Sequence, residues 1–200
     1  VLNSTAANSV IFVDQNSDAT ILGNNLIYTT GGVIEDVNAP ATDHLTLFDT
    51  RLWAVSAEDR NVLWYSKQVI EATPVEMSDL FTVYIPPSVS TQGITGPITA
   101  IAPMDDKLII GKDNALIYIN GTGPDNTGSN NQYSPATLIT STVGCSNQRS
   151  IVQMPKGLMF QSDKGIWLLG RDLSTEYIGA PVEDLTTGAT VLSAVNVPET

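Results

Sequence analysis

The stretch KGLMFQSDKGIWLLG, Lys156 to Gly170, sets two short apolar runs, Gly157-Leu-Met-Phe and Ile166-Trp-Leu-Leu, on either side of a polar Ser162-Asp-Lys-Gly. Each run is too short for a helix, and the polar residues between them are turn formers, so the segment reads as a β-hairpin. The same plan occurs twice more. Leu108-Ile-Ile-Gly, the turn Lys112-Asp-Asn and Ala115-Leu-Ile-Tyr-Ile form one copy. Leu52-Trp-Ala-Val, a longer turn through Glu58-Asp-Arg-Asn and Val62-Leu-Trp-Tyr form the other.

The flanks repeat as well. Leu45-Thr-Leu-Phe-Asp, Ile98-Thr-Ala-Ile-Ala-Pro-Met-Asp and Arg149-Ser-Ile-Val-Gln-Met-Pro each lead into a hairpin, while Leu80-Phe-Thr-Val-Tyr-Ile and Thr175-Glu-Tyr-Ile-Gly come after the first and third. The unit is therefore about four strands. Its anchor leucines, Leu52, Leu108 and Leu158, recur at the period of four-stranded propeller blades and are expected to be inner-strand core residues. A lone four-stranded sheet cannot cover both of its faces, whereas blades stacked radially cover one another.

Candidate strands are 9–13, 25–29, 45–48, 52–56, 62–66, 80–85, 98–103, 107–111, 115–119, 150–154, 158–161, 166–169 and 175–178. Helical periodicity is scarce, and the fold class is all-β, a partial β-propeller of about three four-stranded antiparallel blades. Residues 1–42 are assigned to the end of a preceding blade or β layer. Residues 43–190 are assigned to the three blades, at about 43–92, 93–142 and 143–190, and residues 191–200 to the start of a further segment. The sequence opens at Val1 without a charged n-region and apolar stretch, and is expected to be part of a longer chain.

Nine Lys+Arg against 21 Asp+Glu give a net charge of −12, which disfavours attraction to phosphate backbones or anionic lipids. No apolar run approaches the roughly 20 residues of a membrane span. The single Cys145 has no disulfide partner, and there is no Cys/His cluster for zinc. Paired with His44, Cys145 would be a nucleophile with its base; a small buried hydrophobe is the simpler reading of the Cys, and a strand residue that of the His.

Several of these stretches resemble a family of bacteriophage virion proteins, the β-propeller-containing tail or neck components of the nozzle or hub type. The stretches are Leu26-Ile-Tyr-Thr-Thr-Gly-Gly-Val-Ile-Glu-Asp, Arg51-Leu-Trp-Ala-Val with Leu63-Trp-Tyr-Ser-Lys, Gly96-Pro-Ile-Thr-Ala-Ile-Ala-Pro-Met-Asp-Asp-Lys-Leu-Ile-Ile, and Val143-Gly-Cys through Tyr177-Ile-Gly-Ala-Pro-Val-Glu. The resemblance covers roughly residues 25 to 185. It implies a virion location and a mechanical role: copies of the chain and neighbouring tail proteins assemble into a conduit or hub for DNA passage. It carries over no catalytic residue, cofactor or metal.

Two other readings compete: a carbohydrate- or receptor-binding propeller module, and a glycoside hydrolase. Ser162-Asp-Lys-Gly-Ile-Trp is similar to the Asp-box of sialidase-type propellers, but Ser162 and Asp163 are adjacent and Trp167 comes too early. Hydrolysis would need two convergent carboxylates, with Asp105, Asp106, Asp163 and Glu183 as candidates, all at turn or strand-end positions. Trp53, Trp64 and Trp167 are expected to pack between blades rather than form a sugar platform. Arg51, Arg149 and Arg171 are expected to pair with carboxylates rather than phosphate. The loop over residues 120–135 has too few carboxylates for a calcium cage and the length to reach a neighbouring subunit.

Overall fold

The computed structural model describes residues 34–86 and 96–197, together with Ser17. The chain divides into two units, Val1–Val33 and Ile34–Thr200, and every described element belongs to the second. Candidate strands 9–13 and 25–29, and most of the resemblance segment beginning at Leu26, lie outside the described residues.

The described strands form three four-stranded antiparallel sheets, each from one continuous stretch of chain. Sheet I holds β1 (Thr42–Phe48), β2 (Arg51–Ser56), β3 (Val62–Ser66) and β4 (Met77–Tyr84). Sheet II holds β5 (Ile98–Met104), β6 (Lys107–Lys112), β7 (Leu116–Asn120) and β8 (Thr137–Thr140). Sheet III holds β9 (Val152–Met154), β10 (Gly157–Ser162), β11 (Gly165–Gly170) and β12 (Thr175–Tyr177). Within each sheet the spatial order is the chain order. The three hairpins read from the sequence are the central pairs β2–β3, β6–β7 and β10–β11.

Two-residue turns join the first two strands of every sheet, because Phe48 pairs with Arg51, Met104 with Lys107, and Met154 with Gly157. In sheet I both turn residues are left-handed, Asp49 at φ 47° and Thr50 at φ 57°, the geometry that matches the twist of the strands.

Two strand assignments are corrected. Sheet II has a fourth strand, β8, beyond the long loop and absent from the candidate strands. Residues 148–150 form a 3-10 turn rather than the start of a strand, because the Asn147 side chain accepts from Arg149 N and so caps it.

Sheet II is buried on both sides. Its Ile98, Ile101, Leu108, Ile110, Ile117 and Ile119 share a core with Trp53, Val55, Leu63, Tyr65 and Phe81 of sheet I. Its opposite face, with Ala100, Ala102, Met104, Ile109 and Leu116, shares a second core with Leu158, Phe160 and Leu169 of sheet III. The bulge between Ile98 and Ala100 explains why Ile98 and Ile101, three apart, face the same way.

Leu108 and Leu158 thus each point at the preceding sheet, while Trp53 and Ile109, each one residue past its anchor leucine, point at the next. Every sheet has a leading face, carrying the anchor leucine, and a trailing face. The anchors sit on the second strand of each sheet. Leu108 and Leu158 are buried, but Leu52 is only half-buried.

First strands lie closest together: β1 runs beside β5, and β5 meets the 3-10 turn that precedes β9. There the Gln148 amide imitates a strand, accepting from Ile101 N at 2.6 Å and donating to Ile101 O at 2.9 Å. Both outward backbone groups of Ile101 on this edge strand are thus satisfied by one side chain.

The segment entering sheet III passes so near the β6–β7 turn that a Cβ on Gly144 would stand 2.0 Å from Lys112 O and 2.6 Å from Ala115 N. Both obstacles are backbone, which cannot swing aside. Gly144→Ala is expected to lower unfolding free energy by about 2–4 kcal/mol in a urea titration.

Candidate functional site

The described residues carry two exposed apolar surfaces and one open cleft. On the leading face of sheet I, Leu45, Leu47, Leu80 and Tyr84 are each more than half exposed, with Leu52 and Trp64 half-buried among them. The strand pairings Leu47–Leu52, Leu45–Ala54 and Ala54–Trp64 make them one continuous apolar surface.

The C-terminal segment is tied to sheet III and to the chain entering it. Gln161 on β10 accepts from Val191 N at 2.8 Å and donates to Ala189 O at 2.6 Å, while Asn147 donates to Val191 O at 2.5 Å. Asn196 donates to Gln153 O at 3.2 Å. These bonds hold residues 189–196 against sheet III, yet Leu192, Val195 and Val197 remain more than three-quarters exposed.

A cleft of about 550 Å³ opens between the β10–β11 turn and residues 183–190, lined by Ser162, Asp163, Tyr177, Glu183 and Thr187 among others. The turn is closed internally: Ser162 Oγ donates to Asp163 Oδ1 at 2.8 Å and Trp167 Nε1 to Lys164 O at 3.2 Å. Tyr177 is seated against Trp167, ring centroids 5.4 Å apart, and over Gly165, where a Cβ would come within 2.8 Å of its ring. Desolvation, then the hydrogen bond and charge of Glu183, push the Tyr177 hydroxyl above its ordinary pKa.

Of the four candidate carboxylates, the fold brings Asp163 and Glu183 to this cleft. Asp105 pairs instead with Arg171, and Asp106 with Lys107, whose hydrogen bond holds the Asp106 carboxyl below its usual range.

The disposition of the nine cations decides what the surface can attract. Arg51, Lys67 and Lys112 are buried; Arg60, Lys107 and Arg171 are paired with Asp43, Asp106 and Asp105; Lys164 donates to Thr142 O. Arg149 and Lys156, both exposed, make no ion pair with a described residue.

The expectation of carboxylate partners is therefore met by Arg171 and corrected for Arg51. Arg51 donates to Ser66 O at 2.9 Å and to Pro124 O, and its guanidinium lies 5.6 Å from the ring centres of both Tyr65 and Phe81. Backbone dipoles and aromatic faces replace a counter-ion.

Pro124 belongs to the 120–135 loop, which lies on sheet I of its own chain. Asn126 O accepts from Ile34 N at 3.0 Å, and Tyr133 packs edge-on against Trp53 and Tyr65. The carboxylate of Asp125 is used within the loop, accepting from the Thr127 hydroxyl and from Thr127 N and Ser129 N, bonds that hold its pKa below the ordinary value. Among the described residues, no group of three or more His, Cys, Asp or Glu is placed to hold a metal ion, and no helix is long and apolar enough to cross a membrane.

Cys145 is buried in the core between sheets II and III, and desolvation raises its thiol pKa. His44 is on β1 of sheet I beside Arg60, at 3.0 Å, whereas Cys145 lies in the core between sheets II and III. The tryptophans divide: Trp53 is fully buried between sheets I and II, Trp167 packs on the second core, and Trp64 lies on the open leading face.

No protein-family model matches the chain, and no curated protein matches its sequence.

Lys112 gives a measurable signature of this burial. Its Nζ donates to Pro86 O at 2.7 Å and Gly96 O at 2.8 Å, joining the chain where it leaves sheet I to where it approaches sheet II. Burial lowers its pKa from 10.5 to about 8. Below pH 8 both folded and unfolded chains carry the proton, and the desolvation cost stands in full. Between about 8 and 10.5 the unfolded chain binds more protons, so stability rises with pH. The neutral amine keeps two N–H donors for its two carbonyls. Denaturant titrations from about pH 7.5 to 9.5 are expected to show this rise in the wild type and its loss in Lys112→Met, whatever the variant's absolute stability.

Proposed function

We propose that the chain is a structural component of a bacteriophage tail or neck, in which the three sheets are consecutive propeller blades and copies assemble into a hub or conduit for DNA passage. The observation that carries this reading is the repeat in space. Three equivalent sheets stack face to face in chain order, the middle one is covered on both sides, and its first strand lies between β1 and the turn that leads into β9. Radial stacking of four-stranded blades accounts for all three features at once. The virion assignment is supported by the resemblance of the 96–110 and 143–183 stretches, among others, to phage tail and neck proteins.

The role is mechanical: apolar faces supply contacts, and a net charge of −12 with most cations engaged keeps DNA from adhering. In the radial arrangement the turns beside the first strands, with Asp49 and Asp106, approach the axis. Cryo-electron microscopy of intact particles is expected to place the chain in the tail or neck; particles that lack it would remove the virion reading. Asp49→Lys with Asp106→Lys is expected to slow genome release from such particles, and unchanged release would count against the conduit.

The cleft beside Ser162–Gly165 favours a second reading, a carbohydrate- or receptor-binding module, because a seated aromatic ring, hydroxyls and two carboxylates suit a neutral saccharide. Chemical-shift changes at Tyr177 on adding neutral oligosaccharides, abolished in Glu183→Gln, would support it.

A further inference from the structure

Most of the strongly exposed large apolar side chains of the described residues fall at the two ends of the three-sheet stack. One group is the leading face of sheet I, with Leu45, Leu47, Leu80 and Tyr84; the other is the C-terminal segment across sheet III, with Leu192, Val195 and Val197. We infer that copies of this chain associate head-to-tail, the leading face of sheet I in one copy packing on the C-terminal segment of the next. This rests on the stacked-blade reading proposed above, and it names the surfaces through which the copies meet.

The repeat supplies the argument for the first surface. Leu52 occupies the position of Leu108 and Leu158, and in those two cases the leading face is sealed by the sheet before it. The leading face of sheet I has the same chemistry and no described element sealing it, so its complement is an apolar surface of comparable extent. The second surface meets that need. Residues 189–196 are tied to sheet III through Gln161, Asn147 and Asn196, so the segment is fixed while its apolar side chains point outward. Ordering such a segment in advance removes an entropy cost from association.

Because the two surfaces differ, the contact is heterologous: each pairing leaves one end free on either copy, and the assembly closes into a ring or extends. Copies that each carry a net charge of −12 repel, so the contact draws on apolar burial and strengthens when salt screens the repulsion. An ion-paired interface would weaken instead.

The test uses two surface variants of this chain, Leu47→Asp with Leu80→Asp at the leading face and Leu192→Asp with Val195→Asp at the other end. Unchanged circular dichroism and melting temperature establish that both fold. Size-exclusion chromatography with light scattering is expected to show concentration-dependent association of the wild type, stronger in high salt, and weakened roughly tenfold or more in each variant alone. An equimolar mixture of the two is expected to recover association but stop at the dimer, because only one intact leading face and one intact C-terminal surface are present per pair. A wild type that stays monomeric at its highest soluble concentration overturns the proposal. Association untouched by either variant, or loss in one variant only, also overturns it. Those results leave the virion reading standing, since that reading fails only if particles lack the chain.

Discussion

A sheet with two apolar faces has to be covered twice, and the rest of this structure depends on that constraint. The alternation of the strands sends Leu108 and Ile110 one way and Ile109 the other, so sheet II cannot be satisfied by a single layer. Sheets I and III supply the two covers, and each is left with a face of its own to cover. The problem is thereby moved outward to the ends of the stack. Single-layer folds end it with a polar face; here the leading face of sheet I is as apolar as those that are sealed.

Burying cations largely against backbone carbonyls, with Lys67 also paired to Asp36 and Glu76, is the second device that holds the layers in place. Arg51 reaches from β2 to the loop after β7, Lys112 from β6 to the connection leaving sheet I, and Lys67 to Ile34 O and Asp36. Each joins parts of the chain that are distant in sequence, and most of their acceptors are backbone carbonyls fixed by the surrounding fold. A carbonyl carries no charge to neutralise the cation, but two of them take hydrogen bonds from Arg51 and two from Lys112. Removing these cations from the surface also deepens its acidity, so a feature of packing shapes the electrostatics of any surface exposed to nucleic acid.

How much of this is legible in the sequence depends on the range of the interaction concerned. The central hairpins can be read because short turns and apolar runs are local signals. Strand β8 cannot: Thr137-Leu-Ile-Thr is four residues long, and its pairing with β7 is made across the 120–135 loop. The arginine at the start of β2 reads as an edge cation, since nothing near it in the chain marks Pro124 as its acceptor, 73 residues away. Asp163 and Glu183 stand in the sequence as separate turn and strand-end residues, and only the path of the chain after β12 brings them to one cleft. The Ser162-Asp-Lys-Gly turn is a closed connection, as its composition indicates; that it also walls a cavity is not visible from its spacing.

The continuity of each sheet in the chain bears on how the molecule is made. In the three described sheets each strand pairs with its neighbour in sequence, so each sheet can form as soon as its own stretch has left the ribosome. Its trailing face, however, must wait for the next stretch. While residues 98–119 are still being synthesised, a nascent sheet I exposes the aromatic surface of Trp53, Tyr65 and Phe81, and aggregation competes with growth in that interval. The order of translation thus sets a vulnerable moment that the finished molecule, with those rings sealed, no longer reveals.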